Sequence, residues 1–489
     1  MRHTARLTVV MILVATSLTT PATVSVHAGA SESPIRHVVV IDLENHSFDD
    51  ILGRLCVLQA RGRISRAGLD MGCEGAQVGT LFGGEPVPLK LEPNYGVQLS
   101  HSVRAQQWAI DGGDMHGFSL VPGCRTTDEP PLACFAQFSP LRGDCGVTET
   151  RTCIPNISAY ATNFAISDKT FEFRATPSWA SHMVLASATM ERFTGWNPEV
   201  PPGGSPGGGG WGCDSGLVSR WLRGDDTEVL APSCIPNASG RMGPAWSSYT
   251  GPRARFVPTI FDRMDDARVS WKIYSGNYNW AICPTFWECL GSSQSEGLVG
   301  VRRIFADTRS SFPNVSFVIP PGKKSGHPPG AISEADSWLG HVVSAIMNSD
   351  AWSSTAIFIT FDDCGCFFDH VSPWNYSSDW GVRVPMLIVS PFARAGYTDS
   401  HPATFASLLA FIERTFGLQR LAPCATVDSW NPECTDDVTG PGGLPTYDYS
   451  RAFDFDQAPL PAMPAARVRL PVETRMWIED HRDVVDDEP

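Results

Sequence analysis

Two apolar runs in this chain stop abruptly at oxygen-bearing side chains. The first, His37-Val38-Val39-Val40-Ile41-Asp42-Leu43, leads into Glu44-Asn45, and the second, Ala356 to Phe361, leads into Asp362-Asp363. Carboxylates set together at the ends of buried strands repel one another unless a cation lies between them. Oxygen donors suit Mg, Ca or Mn, and carboxylate with imidazole also suits Zn. The plainer reading is that these are turn or cap residues, places that Asp and Asn favour. Two such pairs at equivalent ends of two strands tilt the reading toward a divalent metal site. Thr176, Ser178 and Ser181 stand just ahead of an apolar helical stretch, where Ser and Thr are ordinary N-caps. A hydroxyl there also lies where a helix N-terminus favours an anion. His101 and His327 by themselves read as ordinary histidines, His327 in a Gly/Pro loop, and His116, His341 and His401 as structural ones.

The elements that must carry these residues follow from the apolar patterning. The β-branched run 37–43 fits a buried parallel strand. Val315 to Ile319, Ala356 to Phe361 and Val384 to Val389 read as further strands. Ser181 to Met190, Ser333 to Met347 and Phe405 to Phe416 read as helices. Strands separated by helical stretches predict a mainly parallel α/β sheet with helices on its faces, and ligands of such a sheet bind beyond the carboxyl ends of the strands. Residues 54–175, rich in Gly, Pro and Cys, predict loops and short elements tied by disulfides. Pro201 to Gly210 (PPGGSPGGGG) predicts a flexible surface loop opening an insertion that runs to about residue 250. The many tryptophans, among them Trp179, Trp271, Trp338 and Trp352, read as core.

The N-terminus sets the compartment. Arg2 and Arg6 precede the apolar run Leu7 to Leu18, and Ala28-Gly29-Ala30 supplies small residues for cleavage. That is the pattern of a secretory leader over residues 1–30, too short in its apolar part to span a bilayer. The expected localisation is secreted, extracellular. The formal charge is −15, which disfavours nucleic acid or an anionic membrane held by charge alone. Fourteen cysteines in an exported chain predict up to seven disulfides, with Cys283/Cys289 and Cys424/Cys434 as local staples. A direct Cys364–Cys366 bond would be strained, so each of these is expected to pair elsewhere.

Several blocks in order carry a family resemblance. Glu44-Asn45-His46-Ser47-Phe48-Asp49 resembles the ENxSFD signature of the bacterial phospholipase C and acid phosphatase family. Leu99 to Ser102 resembles its HS element, Gly113 to Phe118 (GDMHGF) its GKMDGF element, and Pro177 to His182 (PSWASH) its P-[ST]-x-P-N-[RH] element. Ser325 to Pro329 resembles DHPP, Thr360 to Val371 (TFDDCGCFFDHV) resembles T-x-D-[DE]-x-G-G-F-x-D-H-V, and Gly381 to Pro385 resembles GxRVP. The likeness runs from about residue 35 to 418, thinning over 120–170 and 195–310.

The resemblance implies an alkaline-phosphatase-like three-layer α/β/α core with a mainly parallel sheet and disulfide-rich loop insertions. It implies a phosphoesterase catalytic domain over 31–420, followed by an extension over 421–489 with an acidic tail. It implies a divalent metal ion (Zn, Mg, Ca or Mn) on Glu44, Asn45, Asp362 and Asp363, and Ser178 as nucleophile, with Thr176 as the fallback. His101 and His327 would meet the phosphoryl oxygens or protonate the leaving group, with His370 a further candidate. The implied substrate is a phosphorylated small molecule or a phospholipid. The chain departs from the family pattern at Gly326 (Asp in the family), at Ala180 and Ser181 (Pro-Asn), and at Cys364-Gly365-Cys366, where of the family's twin glycines only Gly365 is kept. These departures support the alternative, a catalytically silent extracellular binding or surface protein. A sulfatase would need a Cys/Ser-x-Pro-x-Arg motif, which the chain lacks.

Overall fold

Consecutive side chains on a strand point to opposite faces of the sheet. Burial at every position therefore requires both faces to be covered. In the computed structural model, β1 (His37–Leu43) is buried from Val38 onward and β6 (Thr355–Phe361) along its whole length, so layers must lie on both sides. The described residues are 33–92, 97–125, 132–141, 153–205, 210–243, 249–276, 281–421 and 447–467, with 1, 278 and 476 besides. The leader expected at 1–30 falls, Met1 apart, outside them, as do Cys424, Cys434 and the acidic tail.

The remaining strands of the main sheet are β2 (Ala165–Ser167), β3 (Trp271–Ser275), β4 (Leu298–Gly300), β5 (Val315–Ile319), β7 (Met386–Val389) and β8 (Thr398–Asp399). Their spatial order is β4-β3-β5-β1-β6-β7-β2-β8. All neighbours are parallel except at β7, which runs antiparallel to both β6 and β2. This is the mainly parallel α/β architecture expected. The strand read at 384–389 begins at Met386. The three-residue β2 was hidden in a segment read as loops, because so short a strand shows no periodicity.

Helices α1 (Val103–Ile110), α2 (Pro155–Asn163), α3 (Ser178–Ser187), α4 (Ile332–Met347) and α5 (Ala406–Phe416) complete the frame. They pack in two sets, α2 with α4 and α3 with α5. The expected helix 181–190 lies three residues earlier: it starts at Ser178 behind an extended Pro177 and stops where Ala188 turns left-handed at φ 54°. Among the described residues no helix is long and apolar enough to cross a membrane.

The α2–α4 contact contains a buried cap. Asp336 accepts from the backbone of Asn156 (3.0 Å) and Ile157 (2.8 Å) and from Asn156 Nδ2 (2.7 Å) at the start of α2. Burial pushes its carboxyl up to about 7, against the pull of those donors. A carboxyl raised in the fold binds its proton more tightly there than in the unfolded chain. Its contribution is therefore greatest below about pH 4 and is lost as pH rises through about 7. Thermal unfolding at pH 5 and pH 8 should show wild type losing more stability over that interval than Asp336→Asn; equal slopes would refute the shift.

Disulfides Cys56–Cys73, Cys124–Cys134, Cys213–Cys234 and Cys283–Cys289 are formed. The last is the local staple expected from spacing. Cys213–Cys234 ties the antiparallel pair Val218–Leu222 and Glu228–Pro232 within the insertion expected after residue 200. Cys364 corrects an expectation: it is a buried free thiol, paired with no other cysteine. Of the other cysteines in its apolar cluster, Cys124 and Cys134 are already bonded to each other, and Cys366 stands only two residues away. Its Sγ instead accepts the Cys366 backbone N–H at 3.1 Å.

Candidate active site

Strand register assembles the site. In the β1–β6 pair Leu43 faces Phe361, and the Asp362 N–H donates to Leu43 O at 2.9 Å. Glu44 therefore emerges abreast of Asp362. β5, on the other side of β1, also ends at this edge, and its following loop is clipped down by the Glu44 N–H to Ser325 O at 2.9 Å. Asn45 sits at φ 63°, a left-handed conformation that Asn tolerates better than most residues. There its backbone N–H reaches Asp362 Oδ1 (2.9 Å) and its Nδ2 reaches Asp363 Oδ1 (3.0 Å). Gly365, at φ 53°, lies so close to this turn that a Cβ would meet Asn45 O at 2.2 Å. That is why glycine stands between the two cysteines.

The four residues read as metal ligands are thus brought together and buried. Ser178 joins them. It is the first residue of α3, with Pro177 at the cap position and no side-chain capping bond. Its hydroxyl donates toward Asp363 Oδ2 at 3.4 Å. Thr176, the fallback, donates its hydroxyl to Arg174 O at 3.4 Å, away from the acids. Two further residues escaped the sequence reading. His182 Nε2 lies 3.6 Å from Asp42 Oδ2 and 3.9 Å from Asp362 Oδ2, and Glu44, His182 and Asp362 can each place one ligand atom within 4.8 Å of the others. His182 is four residues after Ser178, hence on the same helix face. Asp42 is two before Glu44, hence on the same strand face. Both spacings stand in the sequence, but only the strand register gives them meaning.

The electrostatics mark the place as a candidate cation site. Burial, then the charge of Asp363, pushes Asp362 up to about 7. Burial, then Asp362, pushes Asp42 and Glu44 up as well. Both oxygens of Asp42, Glu44 Oε2, Asn45 Oδ1 and Asp362 Oδ2 are buried without a hydrogen-bond partner. Orphaned acceptors of this kind are costly unless something positive meets them. Oxygen and imidazole donors in this number fit a divalent ion.

His101 and His327 are also brought together, with ring centroids 5.7 Å apart and planes at 76°. Ser102 caps α1 by accepting from Ala105 N, which places His101 just outside the helix. Gln106 Nε2 then ties His101 O (3.2 Å) to Thr176 O (2.9 Å), linking the histidine to the segment that carries Ser178. Each ring sets Nδ1 against a carbonyl, Leu99 O at 3.1 Å and Pro328 O at 2.6 Å, so in the neutral tautomer Nε2 is the basic atom. Burial, reinforced by His101, pushes His327 down to about 3. Gly326 takes φ 98°, and its carbonyl faces His46 Nε2 at 3.0 Å, while Asp50 Oδ2 holds His46 Nδ1 at 2.6 Å.

His370 stands in a second cluster. It bonds Asp49, and Arg383 lies buried between Asp49 (3.3 Å) and Asp369 (3.1 Å) with its guanidinium 4.1 Å over the Phe48 ring. Burial would raise Asp49, but His370 and Arg383 outweigh it and hold its carboxyl below the usual value. This cluster joins three of the motif blocks: Asp49 of the first, Asp369-His370 of the sixth and Arg383 of the last.

The pattern of the phosphoesterase family matches residues 35–419. The chain belongs to the phosphoesterase family. Among characterised family relatives, Phospholipase C A of Mycobacterium tuberculosis is 23% identical over 482 residues, covering 88% of this chain and 81% of that one. The non-hemolytic phospholipase C of Pseudomonas aeruginosa is 26% identical over 210 residues, covering 33% of this chain. That of Burkholderia pseudomallei is 30% identical over 157 residues, covering 26%. These two matches span only 28% and 22% of the length of those relatives. A solved protein of the alkaline phosphatase superfamily from Vibrio parahaemolyticus aligns over 56% of this phosphoesterase chain and 63% of its own, at 12% identity and a TM-score of 0.31; so distant a likeness carries no weight here.

Proposed function

We propose that this protein is a metal-dependent phosphoric-ester hydrolase working through Ser178. The observation that carries the reading is the serine hydroxyl set against Asp363, at the edge where Glu44, Asn45 and Asp362 present buried oxygens without partners. Glu44, Asn45, Asp362 and Asp363 would hold a divalent cation, with His182 beside them. When bound, such an ion supplies positive charge that favours a serine alkoxide and offsets charge on the phosphoryl oxygens.

The chain's own groups then divide the work. Ser178 gives its hydroxyl proton to the carboxylate it faces, Asp363, and its Oγ attacks phosphorus in line with the departing oxygen, forming the Oγ–P bond as the P–O bond to the alcohol breaks. The start of α3, whose first N–H groups have no partner within the helix, favours the anionic phosphoryl group. His101 donates the proton that the departing alkoxide takes. We assign this to His101 because His327, held down to about 3, is neutral near pH 7 and serves to orient. Water then cleaves the phosphoserine and restores the hydroxyl. Four disulfides among the described residues support an oxidising, extracellular setting. The relatives named phospholipase C support a phospholipid or a smaller phosphoric ester as substrate.

The deciding assay is release of p-nitrophenol from p-nitrophenyl phosphate and from p-nitrophenylphosphorylcholine by the purified protein. Prolonged chelation should abolish turnover, and divalent metal should restore it. Activity indifferent to chelator would remove the cation from the proposal, and inactivity on both esters across added Zn, Mg, Ca and Mn would favour the silent binding protein.

A further inference from the structure

Beneath the oxygens assigned to the candidate cation, the same strand and helix present a second set of donors. Alternate residues of a strand share a face about 7 Å apart along its length, so Asp42 stands one step inward from Glu44. Four residues of an α-helix rise about 6 Å, so His182 stands one turn inward from Ser178. The two steps reach a matching depth, where the side chains meet: His182 Nε2 lies 3.6 Å from Asp42 Oδ2. Asp362 joins the two levels. Its Oδ1 accepts from the N–H groups of Asn45 at 2.9 Å and of Asp363 at 2.8 Å, on the level of the first set. Its Oδ2 has no hydrogen-bond partner and lies 3.9 Å from His182 Nε2.

Asp42 is 1% exposed, and neither of its oxygens has a hydrogen-bond partner. An N–H···O bond to His182 would close the gap to about 3 Å. Two donors each about 2.1 Å from one tetrahedral zinc ion stand about 3.4 Å apart, so spacings of 3.6 and 3.9 Å around one imidazole nitrogen suit an ion better than a direct bond. Charge points the same way. Asp42, Glu44, Asp362 and Asp363 are four buried carboxylates, and a single divalent ion offsets two of their negative charges. An imidazole with two carboxylates is a donor set for zinc, whereas Mg and Ca take oxygen.

We propose that Asp42, His182 and Asp362 Oδ2 hold a second divalent cation of the zinc class, beneath the one assigned to Glu44, Asn45, Asp362 and Asp363. The inference rests on the hydrolase reading for that first ion, and its test reads metal content rather than turnover. The full chain is stripped with chelator, dialysed against zinc and assayed for bound metal. Wild type should hold about two zinc ions per chain, and Asp42→Asn and His182→Gln about one each. Asp42→Asn is nearly isosteric and deprives the fold of no hydrogen bond. Without metal it should therefore unfold at no lower a temperature than wild type, while zinc should raise its midpoint by less. Asp111, Asp114 and His116 can also bring ligand atoms within 4.8 Å of one another, so Asp114→Asn is the control and should keep both ions. One zinc ion in saturated wild type overturns the proposal. So do counts unchanged in Asp42→Asn and His182→Gln, loss of an ion from Asp114→Asn, or a single ion that Asp42→Asn abolishes. Two ions in wild type and one in each variant, with no hydrolysis of either ester, would sink the hydrolase reading and leave the second site standing. One ion with chelator-sensitive hydrolysis would do the reverse.

Discussion

Ser178→Ala is expected to lower turnover of p-nitrophenyl phosphate by about a hundredfold or more while leaving the fold intact, the order of effect for losing a covalent nucleophile. The hydroxyl is fully buried, donates over a long 3.4 Å to Asp363 and also lies against Asp362, and it caps no helix, since Pro177 holds that position. Its removal therefore costs little stability, on the order of 1 kcal/mol for so long a bond. This separates a chemical role from a structural one: rate collapses while the unfolding midpoint barely moves. Thr176→Ala is the matched control and should retain turnover, because its hydroxyl is occupied with Arg174 O. Wild-type turnover by Ser178→Ala, measured on protein of equal folded fraction, would end the case for a phosphoserine.

The second large effect is on stability. Arg383→Met should destabilise the protein by about 3–5 kcal/mol, the cost of stranding a buried charge when its partner is removed. Here two carboxylates lose the guanidinium at once, Asp49 keeping only His370 as its partner of opposite charge. Asp49 and Asp369 are both fully buried, and Arg383 also donates to Asp168 O at 2.9 Å and Glu74 O at 3.2 Å. Burial already pushes Asp369 up to about 6 with the guanidinium present. Arg383→Lys keeps the charge but loses the planar fork that spans two acids and two carbonyls, so it should recover only part of the loss. Urea unfolding would measure both, and a change below about 1 kcal/mol in Arg383→Met would show the cluster to be dispensable. The cluster also gives these motif residues a structural role. Asp49, Asp369 and His370 brace the segments on which Glu44-Asn45 and Asp362-Asp363 are mounted, so a chemical role for His370 is not needed to explain its place in the motif.

Much of this protein was legible before any coordinates. The apolar runs at 37–43 and 356–361 became the central strands because continuous β-branched and aromatic burial suits a sheet covered on both faces. Their abrupt change to Glu44-Asn45 and Asp362-Asp363 marked the edge at which a ligand would sit. The order of the motif blocks, matched over residues 35–419, supplied Ser178, which local pattern alone would have left as a helix cap.

Other features were decided only by the tertiary structure, for identifiable reasons. The antiparallel turn of β7 and the three-residue β2 depend on pairing partners far along the chain, and strand direction leaves no mark on periodicity. Asp42 was concealed by the apolar run around it, and His182 by the apolar helix it belongs to; each acquires meaning only once register Leu43–Phe361 sets strand and helix faces toward the same edge. The free thiol of Cys364 contradicted pairing by count: Cys124 and Cys134 had each other, and Cys366, two residues on, is too close along the chain for an unstrained bond. Residue type fixes what a side chain can do. Which others it does it with is settled by long-range strand pairing and packing, and these are not encoded within any single segment.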